Sequence, residues 1–185
     1  MQQDKLNFAE SVLAKAVKNS LSNDQLHAEG RYIVTCRDAE GNLKWEDHFD
    51  NLVVTGGLNN CLDSYFAGSA YTAAWYMGLV DGATTPTIAA ADTMASHAGW
   101  TENQAYTAST RPAVSWSAAS GGTKSLSSAI AFTANAAATI AGCFLTTNSA
   151  KGGTTGTLFS AGAFTGGNKV LASGDTVNVS YSITI

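Results

Sequence analysis

The chain is 185 residues long, enough for one well-buried domain or for a domain with an arm. Apolar residues make up 45%, an ordinary globular share, while charged residues make up 13%, about half the usual ~25%. A net charge of −4 with no cluster of Lys and Arg argues against a nucleic-acid-binding face, and no run reaches the ~18 apolar residues of a membrane span.

The opening MQQDKLNFAE lacks the basic and apolar regions of a secretory leader, so none is expected. Residues 4–22 carry Leu6, Ala9, Leu13, Ala16, Val17 and Leu21 at spacings of three, four or seven, which predicts an amphipathic helix. Asp4 and Glu10 lie early and Lys15 and Lys18 late, complementing the helix dipole. Such a helix either covers the end of the domain that follows or docks on another subunit, and the polar break at Ser20–Asp24 lets it swing.

Arg31–Arg37 alternates Tyr32, Val34 and Cys36 with Arg31, Ile33, Thr35 and Arg37, the pattern of a half-buried strand. Asp38–Asn42 is a turn with Gly41 suited to the left-handed conformation. Leu43–Asp50 returns with Leu43, Trp45 and Phe49 on one face and Lys44, Glu46 and His48 on the other. Asn51–Val54 stays extended, Thr55-Gly56-Gly57 turns the chain, and Leu58, Cys61, Leu62, Tyr65 and Phe66 follow at helical spacing with Thr55 as cap. Ala73–Val80 is apolar on both faces and predicts a central strand.

Asp81–Thr110 has no clear period, and a loop of that length in a compact domain is usually functional or an interface. Short strands are predicted at Ala113–Ser117, Thr123–Ser127, Ile130–Ala134, Thr139–Thr146, Thr157–Ala161 and Lys169–Ala172, separated by Gly-Gly turns. Behind the Gly174-Asp175 turn, Val177, Val179, Tyr181, Ile183 and Ile185 alternate strictly with hydroxyl and amide residues, which predicts a closing strand. The fold class is therefore mainly β, an antiparallel β-sandwich or jelly-roll with an N-terminal amphipathic helix and one short internal helix. A helical arm is expected over 1–26 and the sandwich domain over 27–185.

No cluster spells out chemistry. Ser120–Ser125 is not a phosphate loop, because Thr123 stands where glycine must precede Lys124. His27, His48 and His97 form no metal-binding spacing, and His97 is expected to pin the long loop by hydrogen bonds. Asp81, Asp92 and Glu102 are the carboxylates a glycoside hydrolase would have to recruit, with nothing in the sequence to fix their geometry. Trp75, Trp100, Tyr106 and Trp116 serve either a sugar-binding face or core and interface packing. Cys36, Cys61 and Cys143 make no CxxC, and Cys36 and Cys143 read as buried free thiols. No catalytic residue, cofactor or metal is expected.

Several stretches together resemble small structural proteins of tailed bacteriophages. They are Phe49–Val53 with Gly56-Gly57-Leu58, Trp75–Val80, Asp92-Thr93-Met94 with His97 and Gly99–Glu102, and Arg111-Pro112. Gly142 with Phe144–Thr147 and the closing Gly174–Val179 complete the pattern, which spans roughly Gly30 to Ile185. The resemblance implies a non-enzymatic virion protein, assembled in the host cytoplasm, that decorates and cements a capsid. Its alternative is a tail, collar or fibre-associated protein that binds a host receptor. The expected partners are the major capsid protein or other virion proteins, with a homo-oligomer, dimer or trimer, and neither nucleic acid nor membrane. The expected interface anchors are Trp100, Arg111 and Trp116, with Leu13 and Val17 on the docking face of the helix.

Overall fold

The computed structural model describes residues 28–66 and 74–185. The helix expected over 4–22, and with it the arm over 1–26, lies outside the described residues, as do Leu13 and Val17. The described chain is mainly β. Its elements in order are β1 (Glu29–Arg37), β2 (Leu43–Asp50), β3 (Leu52–Val53), α1 (Thr55–Phe66), β4 (Tyr76–Asp81), β5 (Glu102–Asn103) and β6 (Thr123–Ser125). There follow β7 (Ile130–Thr133), β8 (Ala138–Thr146), β9 (Leu158–Ala163), β10 (Lys169–Leu171) and β11 (Thr176–Thr184).

Two antiparallel sheets form a β-sandwich. The first runs β2-β1-β11, with β6 and β7 both paired along the far side of β11. The second runs β3-β9-β8-β4-β5, with β10 also paired to β8. The closing strand of the sequence is thus the centre of its sheet, paired with β1 over the whole register from Glu29↔Thr184 to Arg37↔Thr176. Val177, Val179 and Tyr181 are buried as their alternation demands, and Thr176, Asn178, Ser180 and Ser182 face outward and are half-buried.

Facing pairs put side chains of like kind in rows. Tyr32 lies opposite both Phe49 and Tyr181, with ring centroids 5.1 Å and 4.6 Å away. Across the core these rows meet Met77, Leu79, Ile140, Cys143, Leu145 and Phe159 of the second sheet. Cys36 and Cys143 are buried free thiols, and burial pushes the Cys36 thiol up to about 11.

A second apolar core lies on the outer side of the second sheet. Val54, Val80, Met94, Trp100, Ala141, Phe144, Leu158 and Ala161 form it, with Ile88 packed against them. Met94 and Trp100 belong to the aperiodic 82–101 stretch, so that loop is a cover for the sheet. This is why Gly78-Leu79-Val80 is buried on both faces. Gly78 is required there: a Cβ would run into the Phe144 ring.

The strand predicted at Ala113–Ser117 is only a pair of isolated bridges, Tyr76↔Ala113 and Trp116↔Leu126. Leu43 is exposed rather than inward, because a bulge at Cys36/Arg37 shifts the β1–β2 register, and Trp45, Asp47 and Phe49 take the inner face. Among the described residues no helix is long and apolar enough to cross a membrane.

Candidate functional site

The loop residues with chemical potential are consumed by structure. Trp100 is 3% exposed and donates Nε1–H to Asp92 Oδ2 at 2.9 Å. Asp92 Oδ2 also accepts the Ala89 N–H at 3.0 Å. His97 stacks on Trp100 with centroids 4.0 Å apart, and its Nδ1 lies 2.9 Å from the Trp100 carbonyl. His97 therefore pins the loop, as expected.

Arg111 is 1% exposed. Its Nε and Nη2 donate to the two carboxylate oxygens of Glu102 at 2.9 and 2.8 Å, a bidentate pair. Nη1 donates to the Asn148 carbonyl at 2.8 Å and Nη2 to that of Gly153 at 3.1 Å. Its guanidinium carbon stands 5.2 Å from the Phe144 ring centroid, and the Trp100 ring also packs there at 5.2 Å. Two expected interface anchors thus converge on one buried phenylalanine and present almost no surface to a partner. The third carboxylate, Asp81, accepts from Asn103 Nδ2 at 2.8 Å and from the Ala83 N–H at 2.9 Å.

The open site lies elsewhere, at the end of the sandwich beside α1. Val54 N–H donates to the Phe159 carbonyl at 3.1 Å and the Val54 carbonyl accepts the Gly57 and Leu58 N–H groups, which fixes the start of the helix on β9. Gly57 is the buried residue of α1, and a Cβ there would strike the Phe159 carbonyl, so glycine sets the depth at which the helix sits. Gly57, Asn60, Cys61 and Ser64 form its inner side, small enough to leave a gap above the sheets. The gap is a cleft of ≈ 380 Å³. Trp75, Leu145 and Phe159 line it from the second sheet's side, and Trp116, Ile183 and Ile185 from the first. Trp75 meets Phe159 edge-on at 5.4 Å, and Trp116 meets Tyr181 edge-on at 6.1 Å.

The other side of α1 is apolar and faces outward. Leu58 is 41% exposed, Leu62 54%, Tyr65 83% and Phe66 76%. The helix therefore turns its small and polar residues inward and its large apolar ones outward, the reverse of an ordinary surface helix.

No protein-family model matches the chain, and no curated protein matches it either. Among the residues singled out from sequence, the structure separates the four aromatics: Trp75 and Trp116 share the cleft, while Trp100 and Tyr106 are buried elsewhere. Trp116 is the one described interface candidate with accessible surface. The cleft walls Ile183 and Ile185 and the outward stripe of α1 were not singled out. The legible signal for that stripe was the offset between Gly57-Cys61-Ser64 and Leu58-Leu62-Tyr65, two helical rows one residue apart.

Proposed function

We propose that the protein is a non-enzymatic structural protein of a tailed-bacteriophage virion, a capsid decoration or cement protein that binds the assembled shell and stabilises it. The observation that carries this reading is the open apolar cleft between α1 and the ends of the two sheets, with Trp75 and Trp116 on its walls and Ile185 68% exposed beside them. A concave apolar seat rimmed by aromatics is the form that protein-binding hot spots take, able to receive one or two apolar side chains of a partner. The charge-poor, hydroxyl-rich surface gives a contact with little charge to desolvate. The sandwich, with cores on both sides of one sheet, supplies a rigid body for bridging shell subunits. The sequence resemblance to phage structural proteins supplies the particle. Many weak copies on a lattice add up to firm attachment.

The paired tryptophans also favour a second reading, a tail, collar or fibre-associated protein whose cleft takes a host-surface receptor. Co-sedimentation of the purified chain with undecorated shells and, separately, with host cells distinguishes the two. Saturable binding to shells at a lattice stoichiometry, lost in Trp116→Ala, is the expected result. Binding to cells alone moves the protein to the tail, and binding to neither removes both readings.

A further inference from the structure

We infer that the partner segment received by the cleft beside α1 carries a large apolar side chain with a carboxylate next to it. The apolar group enters between Trp75 and Trp116, and the carboxylate meets Lys124. The inference rests on the shell-binding reading of this cleft and names the chemistry of the group bound there.

Three observations carry it. The first is the lining. Asn60, Ser64 and Lys124 are its polar side chains, and the rest of the wall is aromatic, aliphatic or small. Such a wall offers few groups to replace the water around a sugar, whereas an apolar side chain gives up little on entering. At ≈ 380 Å³ the cleft lies at the small end of ligand-sized sites, and it is open along its mouth rather than closed into a tunnel. That form suits a side chain presented from another surface better than a long free acyl chain.

The second is the sign of the charge. Lys124 is the one charged side chain on the lining. It pairs across β6 and β11 with Ile183, itself a wall residue, so the two side chains share a face of the sheet. Its stem adds apolar surface to the wall while its ammonium stays toward water.

The third is how that ammonium is held. Lys124 Nζ donates to the Ser117 carbonyl at 3.0 Å, which ties it beside Trp116 in the chain. An ammonium has three donors, so two remain for a ligand. No carboxylate among the described residues lies within ion-pair distance of Lys124. A carboxylate that arrives beside an apolar group therefore finds a charge-assisted partner, and a cation in its place is repelled.

Acetylated and amidated Ser-Phe-X-Ser peptides, with X as Glu, Gln or Lys, test this on the full chain, read by tryptophan fluorescence at low salt. The Glu peptide is expected to bind about three- to fivefold more tightly than the Gln peptide, and the Lys peptide more weakly than either. In Lys124→Gln, with the parent's unfolding midpoint retained, the three should bind alike. Equal binding of the three by the parent, or binding of none, would overturn the inference. Decanoate that binds more tightly than the Glu peptide would overturn it too, by assigning the cleft to a free amphiphile. Co-sedimentation with undecorated shells separates the inference from the reading beneath it. Lys124→Glu is expected to bind shells at least about tenfold more weakly than the parent. If both bind equally well, the inference fails and the shell-binding reading stands. A parent that does not bind shells defeats both.

Discussion

The outer face of the second sheet and the outer side of α1 are both apolar, but only the first is closed by chain among the described residues. Over the sheet, the 82–101 stretch brings its own apolar side chains, Met94 and Trp100, and fixes them with local bonds from Asp92 and His97. Over α1, Leu58, Leu62, Tyr65 and Phe66 stay exposed. The comparison teaches that an aperiodic segment is not thereby a free one. A loop that contributes apolar side chains to a sheet is part of the core, whereas a regular helix can be the surface that waits for a partner.

The largest effects belong to the closed side. Trp100→Ala removes a buried ring and leaves the Asp92 carboxylate without its indole donor, so a loss of about 3–5 kcal/mol is expected in urea unfolding. If Trp100 were a docking anchor instead, the free protein would keep its stability and lose only its partner. Arg111→Met is expected to cost a comparable amount, about 3–5 kcal/mol, because Glu102 is then a buried, unpaired carboxylate. Arg111→Met/Glu102→Gln should recover much of that loss. A double variant as unstable as the single would mean that the bonds to the Asn148 and Gly153 carbonyls dominate.

The open side should respond more weakly. Leu62 is 54% exposed, so Leu62→Ser is expected to change stability by no more than about 0.5 kcal/mol in urea unfolding. A loss of about 1–2 kcal/mol would mean that the stripe is covered in the free protein and would remove the contrast between the two regions.

Much of this contrast could not be read from sequence. The hairpin β1–β2, the inward row of β11 and the double burial of β4 all follow from period-two patterning, because a strand has only two faces. Trp100 and Arg111 read equally well as core or as interface, since the same large side chains serve both, and only the path of the loop brings Arg111 beside Glu102. In α1 the spacing was legible but its direction was not. That direction depends on Gly57 resting against the Phe159 carbonyl, a contact between elements about a hundred residues apart. Asp47 was likewise hidden: alternation puts it on the inner face with Trp45 and Phe49, but the groups that receive its carboxylate, on Thr165, Gly166 and Lys169, lie more than a hundred residues away in sequence.

Asp47 offers the gentlest test, since it holds a third kind of closure, a polar one. Its Oδ1 accepts the Thr165 hydroxyl at 2.7 Å and its Oδ2 the Gly166 N–H at 3.0 Å, with Lys169 Nζ at 3.3 Å, tying β2 to the β9–β10 turn. Burial pushes this carboxyl up, but the three donors outweigh burial and hold it below the ordinary aspartate range. A carboxyl lowered in the folded state stabilises that state at pH values above its unfolded pKa. The contribution then fades as pH falls through the ordinary carboxylate range and is gone below the lowered value. Asp47→Asn is therefore expected to be less stable than the parent at neutral pH, by on the order of 1 kcal/mol, with the gap narrowing in acid. Denaturant midpoints at pH 7 and pH 3 would show it. A gap that stays constant would mean that Asp47 acts through shape alone, as the apolar cover over the second sheet does, and not through its charge.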